Sequence, residues 1–144
     1  MRSRILTLFF IFSVLVGQPE IFFSEYGEGT GNNKYLEIYN GTSETINLDD
    51  YVILVNYNGN PWSETFTFAA GATLESGDVY VICYGEADES ILEFADEVCP
   101  YADPWLVAAF NGDDVRALAF AIDPENNIID IIGTLDGDGD GTSG

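Results

Sequence analysis

Short runs of alternating apolar residues, each closed by a turn signal, recur along this chain and restrict it to packed β-sheets. Residues 34–39 show the pattern most plainly. Leu36 and Ile38 fall on one face, and Tyr35, Glu37 and Tyr39 fall on the other. Asn40-Gly41 then supplies a turn. Residues 20–26, 64–68, 78–84, 115–122 and 128–133 read as further strands, and 46–50 as a short edge segment. Residues 51–57 are apolar enough to form a central strand covered on both faces. Within residues 87–95, Ile91, Leu92 and Ala95 follow helical spacing, and Asp88 can cap a helix there. The pattern predicts an all-β, immunoglobulin-like antiparallel β-sandwich with one short helix.

The N-terminus is set apart from this domain. Arg2 and Arg4 precede an apolar run over residues 5–16, and Gly17-Gln18-Pro19 ends it. The run is shorter than the ~20 residues that a membrane span needs, so residues 1–17 read as a cleaved signal peptide. The expected product is secreted, extracellular or at the cell surface, with no membrane contact after cleavage.

Charge narrows the function. Removal of Arg2 and Arg4 leaves Lys34 and Arg116 against 25 acidic residues, a net charge of −23. Such a surface repels phosphate backbones and anionic lipid, which excludes nucleic acid as a partner. Twenty aromatic residues (ten Phe, eight Tyr and two Trp) argue for a folded core and against a disordered acidic tail. The chain contains no histidine. It therefore has no Ser-His or Cys-His nucleophile pair and no imidazole base, and an enzyme is not expected. Paired carboxylates leave a metal-dependent hydrolase as a remote alternative.

Three segments carry a family resemblance. They are Ser24-Glu-Tyr-Gly-Glu-Gly29 with Asn32-Asn-Lys-Tyr-Leu-Glu-Ile-Tyr-Asn40, then Leu48-Asp-Asp-Tyr51, then Phe110-Asn-Gly-Asp-Asp114 with Ala117-Leu118 and Ile129-Asp-Ile-Ile-Gly133. In this order and spacing, residues 20–144 resemble a lamin-tail domain of the exported bacterial type. The resemblance implies an immunoglobulin-like sandwich with a non-catalytic, binding or tethering role, as a module of a larger extracellular protein. Relatives continue past the Asp/Gly-rich loop to a Trp and one further strand. The resemblance therefore implies either a fragment of a longer chain or a sheet that lacks its last strand, whose open edge would invite strand addition.

Several residue groups are candidate sites. In an exported chain, Cys83 and Cys99 form an even count that predicts one disulfide, worth ~3 kcal/mol in the chain-entropy picture. Asp136, Asp138 and Asp140 alternate with glycine in the spacing that opens a calcium loop, and the bidentate acid that completes such a loop would fall beyond Gly144. The same tract serves equally as an acidic loop. Ca²⁺ is thus the one cofactor to consider, and a Ca²⁺-dependent adhesive module the rival function. Trp62 and Trp105, in loop-like sequence, raise a carbohydrate-binding version of that rival. Glu25, Lys34 and Glu37 are expected to form a structural polar cluster on the first hairpin. Phe110, Asn111, Gly112, Asp113 and Asp114 read as a turn. Phe110 anchors it in the core, Asn111-Gly112 supplies positive φ, and the aspartates bond backbone amides.

Overall fold

A computed structural model describes residues 21–57, 62–99, 107–112, 114–133 and 135. The signal segment, Trp105, Asp113, Asp136, Asp138 and Asp140 lie outside the described residues. In chain order the elements are β1 (Ile21–Glu28), β2 (Lys34–Asn40), β3 (Ile46–Asn47), β4 (Tyr51–Val55), β5 (Glu64–Thr67), β6 (Thr73–Leu74), β7 (Val79–Tyr84), α1 (Glu89–Leu92), β8 (Glu97–Cys99), β9 (Arg116–Phe120) and β10 (Ile128–Ile132). One four-stranded sheet runs β1-β2-β7-β8, a second runs β10-β9-β4-β5, and β3-β6 forms a small ribbon. This is the immunoglobulin-like sandwich that the alternation predicts.

The core lies where the two sheets face each other. Leu36 and Ile38 of β2 and Ile82 of β7 meet Ile53 and Val55 of β4 and Leu118 of β9. Each is fully buried, and each such side chain stabilises the fold by roughly 1.5–3 kcal/mol relative to exposure. The opposite faces of β4 and β9 are buried too. Val52, Leu54, Ala117 and Ala119 form a second small cluster, with Trp62 and Ile128 packed against it. Residues 51–55 are therefore covered on both sides, as their unbroken apolar run predicts.

Three local readings need correction. The helix shrinks to Glu89–Leu92, and Asp88 makes no side-chain cap. Its carboxylate instead accepts a 2.7 Å hydrogen bond from Asn33 Nδ2. The sheet is not wholly antiparallel, because β8 pairs with β7 in parallel. Parallel pairing needs a crossover of about a dozen residues, which the segment carrying α1 provides. The expected Cys83–Cys99 bridge is not formed, and both cysteines are buried thiols. The register explains why. Cys99 lies opposite Tyr84, whose side chain enters the core, and adjacent Cys83 points to the outer face. There its Sγ donates to Ile91 O at 3.7 Å.

Asn40 closes the end of β2. Its Nδ2 donates to Glu44 O at 2.8 Å and Leu74 O at 2.9 Å, and its Oδ1 accepts from Thr42 N at 2.9 Å and Thr42 Oγ1 at 2.7 Å. The asparagine of the Asn40-Gly-Thr42 glycosylation sequon is thus fully buried, and its amide nitrogen is committed to the fold. Asn40→Ala strands the buried Leu74 carbonyl and three part-buried contacts, and is expected to cost about 2–3 kcal/mol. A lowered urea midpoint at unchanged m-value checks this.

Candidate functional site

The only two basic side chains after Arg4 converge on one residue, Phe110. Arg116, at the start of β9, is 0% exposed. Its Nε donates to Val107 O at 2.7 Å, and its Nη1 donates to Asn56 O and Val115 O at 3.0 Å each. The guanidinium lies 5.3 Å from the Tyr57 ring and 5.6 Å from the Phe110 ring. Burial pushes its pKa down, while the Asp114 carboxylate pulls in the opposite direction and favours the charged form. Arg116 Nη2 and both polar atoms of the Asn56 side chain are buried without a hydrogen-bond partner among the described residues.

Lys34 approaches the same residue from β2. Its Nζ donates to Phe110 O and, at 3.3 Å, to Asn111 Oδ1. Tyr26 of β1 stacks on Phe110, with centroids 4.1 Å apart. The expected Glu25–Lys34–Glu37 cluster is therefore not assembled, because Lys34 is drawn to the Phe110 turn. Glu25 accepts instead from Tyr35 Oη at 2.7 Å, and Glu37 from Ser24 Oγ at 2.7 Å.

The described residues of the turn, Phe110, Asn111, Gly112 and Asp114, seat Phe110 in the core. Phe110 is fully buried, Asp114 Oδ2 accepts from Asn111 N at 2.9 Å, and Asp114 N donates to Asn111 O at 2.9 Å. Positive φ is not used at Asn111 or Gly112. The motif residues near 26, 34 and 110 are thus brought together, and their contacts hold the fold rather than open a ligand site.

A groove of about 570 Å³ lies elsewhere, on the outer face of the first sheet. β1 and β2 place Glu25, Tyr35 and Glu37 along one side, because odd-numbered residues of β2 face away from the core. Val79, Val81 and Cys83 of β7 and Ile91 of α1 form its apolar floor, and Phe94, 69% exposed, stands at the rim. Asp78, Ser90 and Asp96 complete the lining, which has no basic side chain among the described residues. Desolvation, and secondarily Asp96, raise the Cys83 thiol pKa, so it is not an activated nucleophile. Sequence reading missed this groove, since Phe94 and Asp96 follow a four-residue helix and no motif marks them. Arg116 did leave a signal: a lone cation inside an apolar strand must find partners in the core.

No group of three or more Cys, Asp and Glu side chains among the described residues is arranged to hold a metal ion. A family model described as Lamin Tail Domain matches residues 17–135. No curated protein matches the sequence.

Arg116→Met leaves three buried carbonyls and Asp114 without their cation, and is expected to destabilise by about 3–5 kcal/mol in chemical denaturation. Alkaline pH should also weaken the fold. Burial first, and then the Glu28 and Glu97 carboxylates, raise the pKa of Tyr26 and Tyr80, and the hydrogen bond to Glu25 raises that of Tyr35. Each contribution is fully present below the ordinary tyrosine value of 10.0 and is lost as pH rises through the folded-state value. Urea midpoints are expected to fall steadily above about pH 10, with Tyr80→Phe reducing the slope.

Proposed function

The chain belongs to the lamin tail domain family, and on that premise we propose that it is an exported, non-catalytic module that binds or tethers partners through an anionic surface. The family is immunoglobulin-like and generally non-catalytic. The observation that carries the reading is the use of the two cations. Arg116 is fully buried, and Lys34 is spent on Phe110 and Asn111. Carboxylates thus dominate the described surface without basic neighbours to neutralise them. A field of one sign steers cationic partners and repels nucleic acid and anionic membranes. Export in this reading rests on the basic and apolar character of residues 1–17.

The test is binding of the intact chain to immobilised polylysine, duplex DNA and anionic vesicles at rising salt. Binding to polylysine alone, lost as salt screens it, is the expected result. Binding to DNA or vesicles, or none to polylysine at low salt, overturns the reading. Binding that requires added Ca²⁺ and disappears in Asp138→Asn would replace it with the calcium-dependent adhesive function.

A further inference from the structure

We infer that the outer groove of the first sheet docks a cationic, amphipathic peptide segment of a partner protein. This rests on the anionic binding module proposed above and names its contact site.

Glu25 of β1 lies directly across from Glu37 of β2 in the antiparallel register. Like charges at opposed positions destabilise a sheet. Among the described residues no cation neutralises either carboxylate. Each accepts from a neutral hydroxyl, Glu25 from Tyr35 and Glu37 from Ser24, so each keeps its full charge for an incoming group. A lysine or arginine placed between them would relieve the repulsion.

The rest of the groove requires more than a bare cation. Val79 and Ile91 form a partly exposed apolar floor, and Phe94 presents a large aromatic surface to solvent at the rim. A metal ion or polyamine would leave that surface wet, whereas an aliphatic or aromatic side chain next to a basic one would cover it. Asp78 and Asp96 extend the negative rim beyond the floor, so basic residues on both sides of the apolar one find partners. The described part of a second copy does not fit, because its two basic residues, Lys34 and Arg116, are already engaged. The occupant with matching chemistry is a segment in which Lys or Arg flanks one or two large apolar residues.

Fluorescence anisotropy on the intact chain tests this with three labelled peptides. One alternates lysine and phenylalanine, a second replaces the phenylalanines by serine, and a third replaces the lysines by glutamine. The first is expected to bind at least about tenfold more tightly than either of the others. The double variant Glu25→Gln/Glu37→Gln should weaken it about tenfold or more. The double variant Glu64→Gln/Glu125→Gln, in β5 and in the turn between β9 and β10, removes equal charge and should change it less than about twofold. Phe94→Ser should reduce the first peptide to the affinity of the serine peptide. Glutamine retains the hydroxyl contacts of residues 25 and 37, and unchanged thermal melts confirm that the variants fold. Equal weakening by both double variants overturns the groove and leaves the diffuse anionic surface standing. Tight binding of the glutamine peptide also overturns it. Failure of both lysine-containing peptides to bind at low salt overturns the groove and the broader reading together.

Discussion

A buried arginine sets the terms for the rest of this domain. Arg116 is the largest fully buried side chain among the described residues, and a guanidinium without partners in the core would cost several kcal/mol. The chain meets that cost with carbonyls rather than a carboxylate fork. Val107, Asn56 and Val115 each turn a C=O toward the guanidinium, and two aromatic rings lie within cation–π range. Those contacts fix three stretches relative to one another: the end of β4, the approach to the Phe110 turn, and the start of β9. The Phe110 turn is then clamped from its other side by Lys34 and Tyr26. One aromatic residue thus joins the first hairpin of one sheet to the central strands of the other.

This arrangement has an electrostatic consequence. A chain with 25 acidic residues and two basic ones after Arg4 could have scattered its cations to relieve surface repulsion. It places both against Phe110 instead, where they satisfy backbone carbonyls. Repulsion among the surface carboxylates is left to be screened by solvent ions or relieved by a partner. Elsewhere carboxylates serve the fold by taking backbone amides that the sheets leave free. Asp130 Oδ2 accepts from Phe23 N at 2.9 Å beside the irregularity in β1, and Asp96 Oδ2 accepts from Val81 N at 2.8 Å. Part of the acidic excess therefore also serves the fold.

The sequence made the fold legible where period and burial coincide. Alternation over residues 34–39 gives the inward Leu36 and Ile38 correctly, and the unbroken run from Tyr51 marks the strand buried on both faces. It failed where two residues of β-strand suffice, as in β6, or where a strand is short and parallel, as in β8. The missed β8 also explains the mistaken disulfide. Cysteine count alone gives no faces, and once Cys99 is registered against Tyr84 the two thiols point to opposite sides of the sheet. The Glu25–Lys34–Glu37 expectation failed for a related reason. Nearness along one hairpin could not reveal that a turn 76 residues away would offer Lys34 better acceptors.

The candidate groove depends on the same scaffold through a glycine. At Gly27 a Cβ atom would sit 2.2 Å from Tyr35 Cε1, so the absence of a side chain lets the Tyr35 ring lie across the neighbouring strand. Lying there, the ring brings its hydroxyl to Glu25 and forms part of the groove wall. On the inner face of the same hairpin, Tyr26 stacks on the Phe110 anchor and Lys34 reaches the Phe110 carbonyl. Consecutive residues of β1 and of β2 therefore do different work on opposite faces. The inward ones bind the hairpin to the core, and the outward ones hold two opposed carboxylates at a fixed separation from an apolar floor. Anchoring the hairpin is what turns a sparse set of acidic residues into a surface of defined shape.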